Sequence, residues 1–282
     1  MIERGEVGDH SRPTVVKGPL RVGLLGWGSI GAEVGRAIRR GEIAGVELVA
    51  VAATHRHDDL DDLDVTQVTP LELAEHADLV VEAAGQQALV EYGPALLSSG
   101  VDLLVVSVGA LADDTLFERL MSVGGGRLMI STGAIGGIDL LSACRQLGRI
   151  DDVHLTTTKP SNVLVQAWMD DETKRRLEDG AGVVTCFSGS AREAVGLFPA
   201  SVNVAAALAV ATGSWDPVRV DVVGDPAATR NTHVIDVSAE SGDYRFEINN
   251  RPSPHNPRSS QVVPFAVLRA LGVLAGRSGE FV

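Results

Sequence analysis

Hydrophobic positions in the first half of the chain form short apolar runs that alternate with helix-like segments. The runs predict β-strands at residues 20–25, 46–52, 78–82, 103–106 and 127–130. The segments between them repeat apolar residues at helical spacing and predict helices at 32–40, 71–76, 88–99 and 113–122. Apolar strands separated by helices are typical of a parallel sheet buried on both faces. We therefore predict a doubly wound α/β domain over residues 20–133.

The second half of the chain has a different pattern. Strand-like runs at 153–158, 183–188, 219–223, 232–238 and 244–248 mix with helical segments at 137–147, 192–197 and 201–212. Residues 240–243, E-S-G-D, are typical of a hairpin turn between the last two strands. We predict an α+β domain with a mixed or antiparallel sheet over residues 134–257.

The C-terminal end of the chain is predicted to form a helix, and the N-terminal end is predicted to be disordered. A helical segment at 260–276 has Pro264 in its first turn, where a missing amide proton costs least. We expect residues 258–282 to carry this helix back onto the first domain. Residues 1–19 are charged and lack the apolar core of a signal peptide, so a disordered leader is expected.

The turn after the first strand has the glycine spacing of a Rossmann-type nucleotide-binding domain. In this reading Gly26 permits the tight turn, Gly28 lets a pyrophosphate approach, and Gly31 allows close packing of helix on strand. Ser29 and Ile30, within the turn, complete the predicted phosphate-binding segment, and the amide dipoles of the helix that follows would face the phosphates. The strand-turn-helix context predicts binding of NAD or NADP, and a merely connecting turn is the alternative.

The end of the second strand bears on the choice between these two cofactors. An acidic residue there would bind the ribose hydroxyls of NAD, but residues 52–57 at the strand end contain no carboxylate, and the first to follow is Asp58. Thr54, His55 and Arg56 are placed to surround the 2′-phosphate of NADP, for which arginine is the natural partner. A solvated polar loop is an equal alternative. We therefore expect NADP to be accepted and leave NAD open.

Composition narrows the class of protein. The 282-residue chain has 24 basic and 37 acidic side chains, a net charge of −13, so a nucleic-acid partner is not expected. No apolar run approaches the ~18 residues of a membrane span. Cys144 and Cys186 lie among apolar residues, without the spacing of metal ligands or of a disulfide framework. We expect a cytoplasmic protein without a metal site.

Among seven histidines, His233 is the strongest candidate for a catalytic group. It lies at the start of a predicted strand after a polar loop, a position from which a side chain can project into a cleft. With an ordinary pKa of about 6.5, an imidazole suits proton transfer near neutrality. A structural histidine is the alternative.

Several further motifs, in order, resemble the L-aspartate dehydrogenase family. They are STGAIGGID at 131–139, TKP at 158–160, FPASVNVAAA at 198–207, D-P-x-x-x-x-N-x-H at 225–233 and NNRPSPHNPRSS at 249–260. The resemblance extends from about Leu20 to the C-terminal helix. Ser201 departs from the asparagine usual in the family, whereas Asn203, two residues later, is retained.

The resemblance implies oxidative deamination of the small amino acid aspartate to oxaloacetate and ammonia through iminoaspartate, with NAD or NADP. It implies that His233 is catalytic and that Ala134 and Asn203 contact the nicotinamide end of the cofactor. Taken alone, Asn203 also fits a polar residue at a helix N-terminus. The resemblance further suggests a homodimer and a role of iminoaspartate in NAD biosynthesis.

A dicarboxylate substrate requires cations within this acidic protein. Lys159 and Arg258 are the candidates, with Ser259 and Ser260 as hydroxyl donors, and ordinary surface charges are the alternative. Two other functions stay open. One is a dehydrogenase or imine reductase for a different amino acid on the same scaffold. The other is a non-catalytic NADP-binding protein, which would bind cofactor without turnover of any amino acid.

Overall fold

The computed structural model describes residues 18–199 and 203–279, and a parallel sheet forms its first part. The strands are β1 (Leu20–Leu25), β2 (Val46–Ala52), β3 (Thr66–Gln67), β4 (Leu79–Glu82), β5 (Asp102–Val105) and β6 (Leu128–Ile130). Their order is β3-β2-β1-β4-β5-β6, and every pairing is parallel. The order reverses between β1 and β4, where Rossmann-type sheets bind their ligands. The predicted doubly wound α/β fold is confirmed.

Helices connect these strands. They are α1 (Ser29–Arg39), α2 (Asp58–Asp62), α3 (Leu73–His76), α4 (Gln86–Ser98) and α5 (Asp114–Ser122), with a 3-10 turn at Val108–Ala112. Val22 and Leu24 of β1 are fully buried and pack with Val34 of α1. The apolar strands thus lie inside a layer of helices, as their unbroken hydrophobicity predicts.

The second sheet is mixed, as predicted. It contains β7 (Ile150–Pro160), β8 (Val184–Ser190), β9 (Val218–Asp225), β10 (Asn231–Ala239) and β11 (Gly242–Asn250), in the order β11-β10-β7-β9-β8. The β7–β9 pair is parallel and the other pairs are antiparallel. The accompanying helices are α6 (Ile138–Leu147), α7 (Asp171–Glu178), α8 (Ala191–Leu197) and α9 (Asn203–Thr212).

The C-terminal helix α10 (Val263–Leu274) contacts α1. Val267 and Leu271 are fully buried in the same cluster as Val22 and Leu24 of β1. Pro264 occupies the first turn of the helix. The chain therefore leaves the first sheet, forms the second, and returns to the first. The domain boundaries at residues 133 and 257 stay a prediction, and residues 1–17 of the expected leader lie outside the described residues.

Three short elements escape the periodicity analysis: α2, β3 and α7. Helix α7 is almost entirely polar, and Leu177 is its one buried residue. Its start is fixed by Asp170, whose carboxylate accepts a hydrogen bond from the Thr173 amide at 2.8 Å. A capped, charged surface helix of this kind lacks the apolar spacing on which the prediction depends.

In the ranges 18–199 and 203–279, no helix combines the length and apolar character needed to cross a membrane. The same residues contain no group of three or more His, Cys, Asp or Glu side chains arranged to hold a metal ion.

Candidate active site

A cavity lies between the carboxyl ends of the first sheet and the second sheet. It brings together eight predicted site residues, which are Ile30, Ala134, Lys159, Asn203, His233, Arg258, Ser259 and Ser260. Apolar surface comes from Val106, directly after β5, and from Val263 at the start of α10. Residues separated by more than 200 positions in the chain thus share one cavity, as a catalytic cleft requires.

A second cavity lies on the other side of the glycine-rich turn. Gly26, Gly28 and Thr54 line it, together with Trp27 and His55. Ser29 begins α1 and lies between Gly28, which lines the second cavity, and Ile30, which lines the first. Six predicted cofactor residues therefore line the two cavities: Ile30, Ala134 and Asn203 the first, and Gly26, Gly28 and Thr54 the second.

The glycine positions fit a dinucleotide. Gly26 has a φ of 104°, and a Cβ there would lie 2.8 Å from the Ala83 carbonyl group. A Cβ on Gly31 would lie 2.1 Å from the Gly26 oxygen. A Cβ on Gly28 would meet no atom within 4 Å, so its backbone is open for a pyrophosphate to approach the start of α1. The adenosine half would then lie toward Thr54 and the nicotinamide half toward His233.

Arg56 lies apart from both cavities. Its guanidinium donates to the Asp61 carboxylate at 2.7 Å, and its side chain is 77% exposed. This ion pair belongs to the acidic helix α2, where Asp59 pairs with Arg36 at 2.6 Å. An NADP 2′-phosphate would therefore have to draw Arg56 away from Asp61.

Glu82 fixes the loops at the switch point between β1 and β4. It is fully buried, and its carboxylate accepts hydrogen bonds from the Ala84 and Gly85 amides and from both the amide and hydroxyl of Ser107. Burial raises the pKa of Glu82, whereas these hydrogen bonds oppose the rise. Nothing in the local sequence pattern indicates this role, because Ser107 follows a different strand.

His233 is buried in β10 with only 2% of its surface exposed. It pairs across the antiparallel ladder with Thr157 of β7, and its Nδ1 lies 3.1 Å from the Thr157 Oγ1. Burial, assisted by the charge of Lys159, lowers the pKa of His233 to about 3. The ordinary pKa of about 6.5 therefore does not apply to this buried imidazole. At neutral pH this imidazole is therefore uncharged.

Lys159 lies beside His233 in the same cavity and is equally buried, at 2% exposure. Its Nζ donates to the Arg258 carbonyl oxygen at 2.8 Å. Burial, together with repulsion by Arg258, lowers the pKa of Lys159 to about 8. The predicted cation is therefore present, and it is buried rather than on the surface.

The loop that carries Arg258, Ser259 and Ser260 is held against the second sheet. Ser260 forms a β-bridge with Pro252. The Asn231 amide nitrogen donates to the Ser259 carbonyl oxygen at 3.3 Å, and its fully buried Oδ1 has no hydrogen-bond partner among the described atoms. Asn231 lies two residues before His233 in the motif D-P-x-x-x-x-N-x-H. This motif is the sequence signal that could have indicated that Asn231 holds the loop.

Two asparagines link the parts of the cavity. The Oδ1 of Asn203 accepts a hydrogen bond from the Gly109 amide at 3.1 Å, which joins α9 to the 3-10 turn of the first domain. The Nδ2 of Asn250 donates to the Ala134 carbonyl at 2.8 Å. Ala134 and Asn203 are thus fixed in the wall of the cavity where the nicotinamide was expected.

Similarity to known proteins identifies the family. The model described as "Aspartate dehydrogenase, C-terminal" matches residues 139–274, and "Homoserine dehydrogenase, NAD binding domain" matches residues 26–124. The L-aspartate dehydrogenase of Methanococcoides burtonii is 35% identical over 264 residues, which cover 91% of this chain and 97% of that protein. The chain belongs to the L-aspartate dehydrogenase family. The family member from Methanopyrus kandleri is 36% identical over 260 residues, with coverages of 88% and 94%.

Solved structures agree with this assignment. The aspartate dehydrogenase of Thermotoga maritima has a TM-score of 0.73 and 27% identity, and the match covers 93% of this chain and 99% of that one. A myo-inositol 2-dehydrogenase from Lactobacillus plantarum, with a TM-score of 0.51 and 14% identity, shares the fold alone. The expected L-aspartate dehydrogenase family and its NAD(P) cofactor are confirmed.

The glycine geometry predicts separate effects on binding and folding. Gly28→Ala should fold normally because its Cβ meets no atom, yet weaken NAD(P) binding about tenfold by blocking the approach of the pyrophosphate. Gly31→Ala should lose about 1–3 kcal/mol of stability, because its Cβ would overlap the Gly26 carbonyl. Cofactor titration by tryptophan fluorescence and urea unfolding measure the two effects. Unchanged cofactor affinity in Gly28→Ala would contradict the assignment.

The Arg56–Asp61 pair predicts how cofactor preference can be changed. Arg56→Ala should weaken NADP binding more than NAD binding, because only NADP carries the 2′-phosphate. Asp61→Asn should shift the preference the opposite way, because it releases Arg56 from its partner. Dissociation constants for both cofactors measure the ratio. An equal loss of NAD and NADP binding in Arg56→Ala would identify Arg56 as a loop residue without a cofactor role.

Proposed function

We propose that this chain oxidises L-aspartate to oxaloacetate and ammonia through iminoaspartate, with reduction of NAD or NADP. The observation that carries the proposal is the cavity lined by His233, Lys159 and Arg258, at the end of the cofactor site where the nicotinamide is expected. Family membership supports aspartate as the substrate, since the curated relatives carry the name L-aspartate dehydrogenase.

The cofactor would be held by groups that the chain already orders. Gly26, Gly28 and Gly31 shape the turn for the pyrophosphate, while Ala134 and Asn203 lie where the nicotinamide is expected. When bound, the oxidised nicotinamide supplies the acceptor for the hydride that leaves the substrate α-carbon.

The substrate carboxylates would be held by the loop that follows β11. The guanidinium of Arg258 suits a bidentate grip on one carboxylate, and the hydroxyls of Ser259 and Ser260 can donate to it. Lys159 adds positive charge deeper in the cavity. A protein of net charge −13 repels a dianion over long distances, so these local cations must supply the attraction.

His233 is proposed to act as the base for the water that attacks the imine. Its Nδ1 is engaged by Thr157, which leaves Nε2 as the ring nitrogen for the cavity. The imidazole is uncharged before substrate binds, so it can take the proton of the attacking water. A bound dicarboxylate would raise the pKa of His233, because nearby negative charge favours the imidazolium.

We also propose that the enzyme is a cytoplasmic homodimer, as its family resemblance implies. Cys144 and Cys186 are both free thiols, which is usual in a reducing compartment. Sedimentation equilibrium should give twice the 29.5 kDa chain mass, and a monomer at micromolar concentration would contradict the dimer.

The role of His233 predicts a loss of turnover without a loss of cofactor binding. His233→Ala should lower kcat about 100-fold or more, the usual effect of removing an acid-base group. His233→Asn should not restore activity, because an amide forms hydrogen bonds but does not accept a proton at this pH. The assay follows NAD(P)H absorbance with aspartate, while malate dehydrogenase with NADH, run separately, quantifies the oxaloacetate.

His154 provides the matched control. It lies on the same sheet but outside the cavity lining and pairs with Asp221 at 2.8 Å, so His154→Asn should keep turnover near that of the parent. Near-normal turnover of His233→Asn would remove the acid-base assignment. Failure of the parent to reduce either cofactor with aspartate would overturn the proposed function itself.

A further inference from the structure

We propose that Lys159 exchanges a proton with the substrate amine during the reaction, in addition to supplying positive charge. This inference rests on the function proposed above. It gives the cavity two proton-transfer groups, His233 for water and Lys159 for nitrogen.

The first support is the position of Lys159 on the sheet. Thr157 pairs directly with His233, and Lys159 follows two residues later on β7, so its side chain lies on the same face. Lys159 and His233 both line the cavity, and both are almost completely buried. Two titratable side chains therefore meet the substrate space from adjacent strands.

The second support is the choice of residue. Of the 24 basic residues, 21 are arginine and only Lys17, Lys159 and Lys174 are lysine. Arg258 lines the same cavity. Arginine would supply permanent charge at position 159, but only lysine can lose and regain a proton in the accessible pH range. The other described lysine, Lys174 of the surface helix α7, donates to the Ala167 carbonyl, which lies before that helix.

The third support is the surroundings of the amine. Arg258 faces it from the loop after β11, and His233 faces it from β10. Burial and the Arg258 charge lower the pKa of Lys159 to about 8, so roughly one-tenth of the molecules hold a neutral amine at pH 7. That fraction is sufficient for a base whose pKa lies close to the working pH.

The proposed proton transfers balance with the overall reaction. The α-ammonium N–H bond breaks as its proton passes to the Lys159 lone pair. The substrate nitrogen lone pair then forms the C=N bond while the α-hydrogen leaves, with its electron pair, to the oxidised nicotinamide. Water adds to the iminium carbon, and His233 takes one proton from that water.

Lys159 next returns its proton to the nitrogen of the carbinolamine. The C–N bond breaks with its electron pair on nitrogen, and the departing ammonia takes the remaining hydroxyl proton to leave as ammonium. His233 releases its proton to solvent. The products are oxaloacetate, ammonium, reduced cofactor and one proton, and both side chains return to their starting states.

The pH dependence of Lys159→Arg separates a proton-transfer group from a fixed charge. In the parent enzyme, kcat/KM for aspartate oxidation should rise up to a pH of about 8 and then level off. Lys159→Arg should lose this limb and about 100-fold in kcat, with KM changed by only a few-fold, because the charge is kept. Substrate ionisation is common to both enzymes, so the difference between their profiles reports Lys159.

Lys174→Arg is the matched control and should follow the parent profile. If Lys159 serves only as a cation, Lys159→Arg will keep kcat, and the parent will lose substrate affinity above a pH of about 8. That result would overturn the proposal.

NMR of protein labelled with ¹³C at the lysine ε-carbon gives a readout independent of turnover. Three lysines give three signals, and Lys17→Arg and Lys174→Arg assign Lys159 by elimination even if Lys159→Arg does not fold. The Lys159 signal should titrate near pH 8 in the cofactor-free enzyme. A midpoint near the ordinary 10.5 in an enzyme that oxidises aspartate would overturn this proposal alone. Absence of aspartate turnover in the parent would instead overturn the proposed function.

Discussion

The antiparallel pairing of β7 with β10 is the constraint on which the site depends. It places Thr157 opposite His233 and brings Lys159 to the same buried face, next to Arg258. Removal from water disfavours the charged forms of both lysine and histidine, so the pKa of each falls. The folded chain therefore holds a lysine and a histidine from which protons are readily withdrawn, within a site whose remaining charge is positive. A dicarboxylate supplies the negative charge that such a site lacks.

The rest of the fold keeps this face next to the cofactor. A hydrogen bond from the Gly109 amide to Asn203 joins the 3-10 turn at Val108–Ala112 to helix α9. Asn231 holds the loop that carries the proposed substrate-binding residues. Glu82 fixes the loops after β4 and β5, beside the glycine turn. In this arrangement the nicotinamide would supply the redox chemistry, and the protein would orient the substrate and transfer protons.

Local patterns were sufficient to predict the glycine turn and every strand of the two sheets except β3, because each depends on residues close together in sequence. They also selected His233, which lines the cavity. Thr157 and Glu82 were missed because their partners lie on another strand or just after one, and only the sheet order brings them together. The lowered pKa of His233 was missed for the same reason, since burial depends on packing from distant segments. Helix α7 lacks an apolar stripe, so its capped, charged sequence gave no periodic signal.

Substrate charge selection tests the central claim most directly, namely that the cations Lys159 of the second sheet and Arg258 of its loop recognise two carboxylates. L-Asparagine matches L-aspartate in shape but replaces the side-chain carboxylate with a neutral amide. The measurement is kcat/KM for the two amino acids under the same conditions with saturating cofactor. The account predicts that aspartate is preferred about 100-fold or more, because a desolvated cation loses its ionic partner when asparagine binds. Comparable values for the two substrates would contradict it.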